Sequence, residues 1–115
     1  MAGPHPSVFE DDARLDEMAE NAKNATAMLK ALGHEGRLMI LCYLSQGEKT
    51  VTELEEILSM RQPAVSQQLA RLRADDLILA RREGKAIYYS IQDDRARKIM
   101  EVVYDLFCGN GAGKP

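Results

Sequence analysis

The side chains whose types and spacing could do chemistry fall into two sets. One is a pair of thiols, Cys42 and Cys108. The other is a polar and basic run comprising Arg61, Gln62, Ser66, Gln67, Arg71 and Arg73, followed by Arg81, Arg82 and Lys85. Glutamine can pair bidentately with adenine, serine can donate to or accept from a base edge, and arginine serves guanine or phosphate. The thiols match neither a disulfide-dense secreted scaffold nor a Cys-x-x-Cys metal or redox motif, so in a reducing cytosol they are expected to rest unbridged. Cys42 stands beside Leu38 and Leu41, where a cysteine can be an inert core residue. Cys108 follows Phe107 beside a Gly-rich tail, where access favours reactivity.

Other chemistries lack their residues. There is no phosphate-cradling glycine loop, no Ser/His/Asp set at motif spacing and no two-histidine cluster, so the chain is expected to be no enzyme and to carry no metal or other cofactor. Of the two histidines, His5 lies in a tail and His34 reads as a helix-boundary residue. Four Tyr and two Phe, with no Trp, leave little material for an aromatic cofactor pocket or a base-stacking sheet. Charge separates the chain more sharply. Residues 1–60 hold five Lys/Arg against eleven Asp/Glu, whereas residues 61–115 hold ten against seven. A local basic surface on an acidic body suits a protein that touches DNA with one face. No apolar run reaches membrane-spanning length and the N-terminus has no signal-peptide character, so a cytoplasmic protein is expected.

The elements that must position these residues follow from periodicity. Residues 1–10 and 109–115 are expected to be flexible tails flanking one domain, residues 11–108. Leu15, Met18, Ala22, Ala25 and Leu29 mark an amphipathic helix from about Asp12 to Leu32. Glu35 to Ser45 forms a second, largely buried helix closed by Gly47. Thr52 with Glu55 fits a capping box opening a short helix that buries Leu54, Ile57 and Leu58. Pro63 suits the first turn of the next helix, Gln62 to Asp75, whose inward stripe is Val65, Leu69 and Leu72. Two strand-like runs, Leu77–Ala80 and Ala86–Ile91, flank Arg81–Lys85 as a basic hairpin tip, and Asp93 or Asp94 caps a last helix reaching Phe107. The expected fold is mainly α with a small β-hairpin, in the order α-α-α-α-β-β-α, a winged helix-turn-helix. The Gln62 helix would lie in a major groove, with the hairpin reaching the neighbouring minor groove or phosphates. A module using the same surface to bind protein is the competing expectation, which the Gln/Ser/Arg face disfavours.

The stretch LGHEGRLMILCYL…TVTELEEIL…RQPAVSQQLARLRADDLILARREGKAIYYSI resembles the ArsR family of small winged-helix repressors over about residues 28–107. The resemblance implies a homodimer built on the N- and C-terminal helices, bound to a near-palindromic double-stranded operator until an inducer releases it. It also carries over Gln62, Ser66 and Gln67 as recognition-helix positions and Arg82 and Lys85 as the wing. Arg61 departs from the family's capping serine, which weakens that cap and adds a potential phosphate contact. The paired cysteines and histidines that metal-sensing members use are missing.

A cysteine on the second helix and another at the end of the last is similar to the persulfide-responsive, BigR/SqrR-type subgroup. That likeness implies reactive sulfur species as inducer, linking Cys42 to Cys108 through a disulfide or polysulfide and lowering operator affinity. General oxidants or a soft metal acting on the same two cysteines remain the alternative.

Overall fold

The computed structural model describes residues 12 to 108, and the tails expected at residues 1–10 and 109–115 lie outside the described residues. The elements run in the order α1 (Asp12–Leu32), α2 (Glu35–Leu44), β1 (Lys49–Thr50), α3 (Val51–Leu58), α4 (Gln62–Ala74), β2 (Ile78–Glu83), β3 (Ala86–Ile91) and α5 (Asp94–Phe107). The chain divides after Lys30 into two units.

The described part of the first unit is the body of α1. It contains neither Gly nor Pro and is rich in alanine, so propensity favours the helix along its length. Leu15, Met18 and Leu29 are exposed on it.

The second unit starts at Ala31 and is built around α2. His34 caps this helix: its Nδ1 accepts from the backbone N–H of Gly36 at 3.1 Å and of Arg37 at 3.4 Å, the boundary role expected of it. Ile40, Leu41 and Leu44 of α2 are completely buried, and α3, α4, α5 and β3 all pack on the helix. Leu54 and Leu58 of α3, Val65, Leu69 and Leu72 of α4, and Ala96 and Met100 of α5 close the core. Burying each aliphatic side chain of this size contributes about 1.5–3 kcal/mol.

Three local features differ from the sequence reading. The cap of α3 is Thr50, not Thr52. Thr50 Oγ1 accepts from the Glu53 N–H at 3.1 Å, while the Glu53 carboxylate accepts from the Thr50 N–H at 2.8 Å. Both threonines precede a glutamate by three residues, but Thr50 ends β1 in the extended conformation that a cap requires, and the helix has already begun at Val51. Ile57 is exposed rather than buried, because an eight-residue helix turns only Leu54 and Leu58, one turn apart, towards the core. Finally, β1 adds a third strand that periodicity did not disclose, pairing antiparallel with β3 through Lys49–Tyr89 and Thr50–Tyr88 in a sheet of order β1-β3-β2.

The hairpin is tighter than expected. Glu83 pairs with Ala86, so the strands run to the tip and the loop is only Gly84 and Lys85. Gly84 takes φ +63° at the first loop position, the one place in a type II′ connection where a side chain would strain the backbone. Asp93 caps α5 by accepting from the Arg95 N–H at 2.8 Å.

Thr50→Ala is expected to destabilise the fold by about 1 kcal/mol through loss of the box, and Thr52→Ala to stay within about 0.5 kcal/mol of the wild type. Urea denaturation distinguishes them, and a larger loss at Thr52 would refute the assigned cap.

Candidate functional site

Helix α4 sorts its residues by face. Val65, Leu69 and Leu72 are buried, while Gln62, Gln67, Arg71 and Arg73 are exposed and Ser66 is half-buried on the outer side. Arg61 occupies the N-cap and makes no side-chain capping bond, as expected when arginine replaces a capping serine. Pro63 in the first turn costs nothing because that N–H has no helical partner. Two outward groups are already organised. Gln62 Nε2 donates to Ser66 Oγ at 3.2 Å, and Arg71 Nε donates to Asp75 Oδ2 at 2.8 Å.

The three basic residues of the hairpin do not act alike. Arg81 and Arg82 lie on β2 rather than in the turn, and strand alternation sends them to opposite faces. Arg81 grips Glu48 bidentately, at 3.0 Å from Nε and 2.7 Å from a terminal nitrogen. Its other terminal nitrogen donates to Glu83 at 2.6 Å, and the guanidinium stands 4.8 Å over the ring of Tyr88. Those hydrogen bonds hold the Glu48 carboxyl below its ordinary range. Each guanidinium nitrogen of Arg81 thus has a carboxylate partner on the surface, and the pairing with Glu48 ties the hairpin to the segment leading into β1. Arg82 and Lys85 are exposed.

Sequence reasoning missed Glu48, whose partner lies 33 residues away, and Gln68. Gln68 is half-buried on α4 and accepts from Arg37 of α2 at 3.1 Å. Neither position belongs to a motif, so only the fold could reveal them.

The two thiols lie on helices that pack against each other. Cys42 is half-buried on α2, and exposed Cys108 ends α5, its N–H donating to the Tyr104 carbonyl at 2.8 Å. Both are free, and α2 packs against α5. Burial pushes the Cys42 thiol above its ordinary value, and negative charge on Cys108 pushes it further. No group of three or more His, Cys, Asp or Glu side chains able to hold a metal occurs among the described residues. None of the described helices is long and apolar enough to cross a membrane.

Two short helices joined by a tight turn and followed directly by a braced hairpin, on a helical body, define a winged helix-turn-helix. This class is a DNA-binding one. The chain belongs to the ArsR family: the model described as "Bacterial regulatory protein, arsR family" matches residues 34–79. A biofilm growth-associated repressor of Agrobacterium fabrum is 44% identical over 94 residues, 82% of this chain and 80% of the relative. The transcriptional activator HlyU of Vibrio cholerae is 38% identical over 82% of this chain and 87% of its own. Reduced HlyU from that organism superposes with a TM-score of 0.79 over 81% of this chain and 98% of the solved one. The transcriptional repressor BigR from Xylella fastidiosa, 36% identical, superposes at 0.76 over 83% and 97%. The chain is therefore a transcriptional regulator and not an enzyme.

Because Cys108 charge raises the Cys42 titration, Cys108→Ser is expected to shift the pH profile of Cys42 alkylation to lower pH. Mass spectrometry after timed iodoacetamide labelling reads the shift, and an unmoved profile would place the thiols too far apart to interact.

Proposed function

We propose that this regulator is a homodimeric repressor that holds a near-palindromic operator in the cytoplasm and releases it when persulfides or polysulfides link Cys42 to Cys108. The observation that carries the reading is that the two thiols, far apart in sequence, lie on helices α2 and α5, which pack against each other. The likeness to BigR and to a HlyU solved in reduced form supports it. Dimerisation is supported by the apolar surface of α5, where Val102, Leu106 and Phe107 are more than half exposed.

The bridge forms in two displacements. Cys108, the accessible thiol, attacks as thiolate the outer sulfur of a persulfide R–S–SH, giving Cys108–S–SH and releasing RS⁻. The Cys42 thiolate then attacks Cys108 Sγ, forming the disulfide and expelling HS⁻. Two thiols are oxidised and one sulfane sulfur is reduced to sulfide. Each additional sulfur in a longer bridge takes one more persulfide equivalent.

On the DNA side, Gln62, Ser66 and Gln67 meet base edges. Arg61, Arg71, Arg73, Arg82 and Lys85 meet phosphates or guanine, and Arg81 braces the wing that presents the last two. Gln62→Ala is expected to cost about 1–3 kcal/mol at the cognate base with the salt dependence unchanged. Arg82→Ala or Lys85→Ala should weaken binding to all sequences and shrink the slope of log K against log salt by about two per dimer, one for each protomer's phosphate contact. Fluorescence anisotropy over a salt series separates these outcomes, and binding without sequence preference would refute the repressor reading.

Cys42→Ser and Cys108→Ser are expected to bind operator normally yet resist release by polysulfide. Release persisting in both single variants would sink the sensing mechanism. Intact mass of the treated wild type counts the sulfurs in the bridge: a plain disulfide formed equally well by peroxide would favour a general oxidant, and a metal adduct a soft-metal sensor.

A further inference from the structure

Each cysteine-bearing helix is hooked at its opposite end by an arginine, α2 to α4 and α5 to the end of β3. Arg37 stands in the first turn of α2, whose last turn contains Cys42. Its Nε donates to the Ala31 carbonyl at 2.7 Å, and a terminal nitrogen donates to Gln68 Oε1 on α4 at 3.1 Å, both bonds partly buried. Arg97 stands in the first turn of α5, which ends at Cys108, and donates to the carbonyl of Ile91 at 2.9 Å, again partly buried. Ile91 is the last residue of β3, the strand that begins beside the Gly84–Lys85 turn.

We propose that Arg37 with Gln68, and Arg97 with the Ile91 carbonyl, are positioning groups that relay the state of the thiols to α4 and to the wing. This inference rests on the dithiol reading above. The physical case has three parts. A helix is stiff over its length, about 15 Å for the ten residues of α2 and about 21 Å for the fourteen of α5, so displacement at the cysteine end arrives at the arginine end. Aliphatic packing between α2 and α4 passes a shift from one helix to the other but is non-directional. A guanidinium fork on a fixed acceptor resists sliding, and partial burial reduces competition from water. Arginine offers only donors, so the Gln68 oxygen must face it, and the bond fixes the orientation of that amide. Gln68 lies between Gln67 on the outward face and buried Leu69, where a change in its bond to Arg37 turns the outward face with it.

The relay predicts how strongly the bridge weakens DNA binding, which a merely structural bond would not control. The readout is the ratio of operator Kd for the bridged protein to that for the reduced protein, with bridging confirmed by mass. In Gln68→Met and in Arg97→Met, which keep side-chain length, this ratio is expected to fall at least threefold from the wild-type value, and further in the double variant. Gln68→Glu keeps an acceptor for Arg37. Its added charge opposes DNA in both states alike, so it should retain the wild-type ratio even if Gln68→Met proves difficult to fold. A ratio within twofold of wild type in Gln68→Met overturns the α2 arm, and the same result in Arg97→Met overturns the α5 arm. A ratio in Gln68→Glu as low as in Gln68→Met would also overturn the first arm, since loss of the acceptor would then not be the cause. Failure of the sensing reading looks different: a bridged wild type binding operator as tightly as the reduced one would end that reading and the relay with it.

Discussion

Ile40, Leu41 and Leu44 must leave water together, and the helix that carries them is too short to hide them unless it is covered on several sides. The solution places α2 under α3, α4, α5 and β3 at once. At about 1.5–3 kcal/mol for each buried side chain, these three residues account for a substantial part of the stability of a domain this size. The same burial has a mechanical result. Helix α4, the helix capped by Cys108 and strand β3 share one support, and Cys42 sits in it. A close-packed interior passes a shift in one member to the others because it has no slack to absorb it.

Electrostatics add direction to that packing. The acidic first half of the chain limits indiscriminate attraction to polyanions, while Arg61, Arg73, Arg82 and Lys85 keep a local positive surface. Arg81 belongs to neither role. Though exposed, it pairs with Glu48 and Glu83 and stands over Tyr88 on the face of the hairpin opposite Arg82, so adjacent arginines of the same sequence pair have different partners.

Much of this was legible from residue order. The three- and four-residue spacing of Val65, Leu69 and Leu72 located α4 and its outward face, and Pro63 marked its first turn. His34 was readable as a boundary residue because Gly33 had already ended one helix. What escaped was whatever depended on distant partners. β1 is two residues long and exists only because Tyr88 and Tyr89 pair with it. Without β1, Thr50 and Thr52 offered equal capping registers. The hairpin looked five residues wide because the order Arg-Arg-Glu-Gly-Lys does not reveal that Glu83 pairs with Ala86. The packing of the two cysteine-bearing helices, and the Arg37–Gln68 bond, join distant parts of the chain and leave no local trace.

The sheet order leaves β2 as an outer strand, with one row of backbone N–H and C=O groups that no strand among the described residues satisfies. Such an edge invites another copy to add itself in register, the first step of fibrillar self-association. Its outer half carries Arg81, Arg82 and Glu83, charged side chains that make that addition costly. Arg82 is thus a gatekeeper on this edge and, on the proposed reading, a DNA contact as well. A wing neutralised to loosen its hold on DNA would also lose protection against aggregation, which narrows the sequences this hairpin can explore.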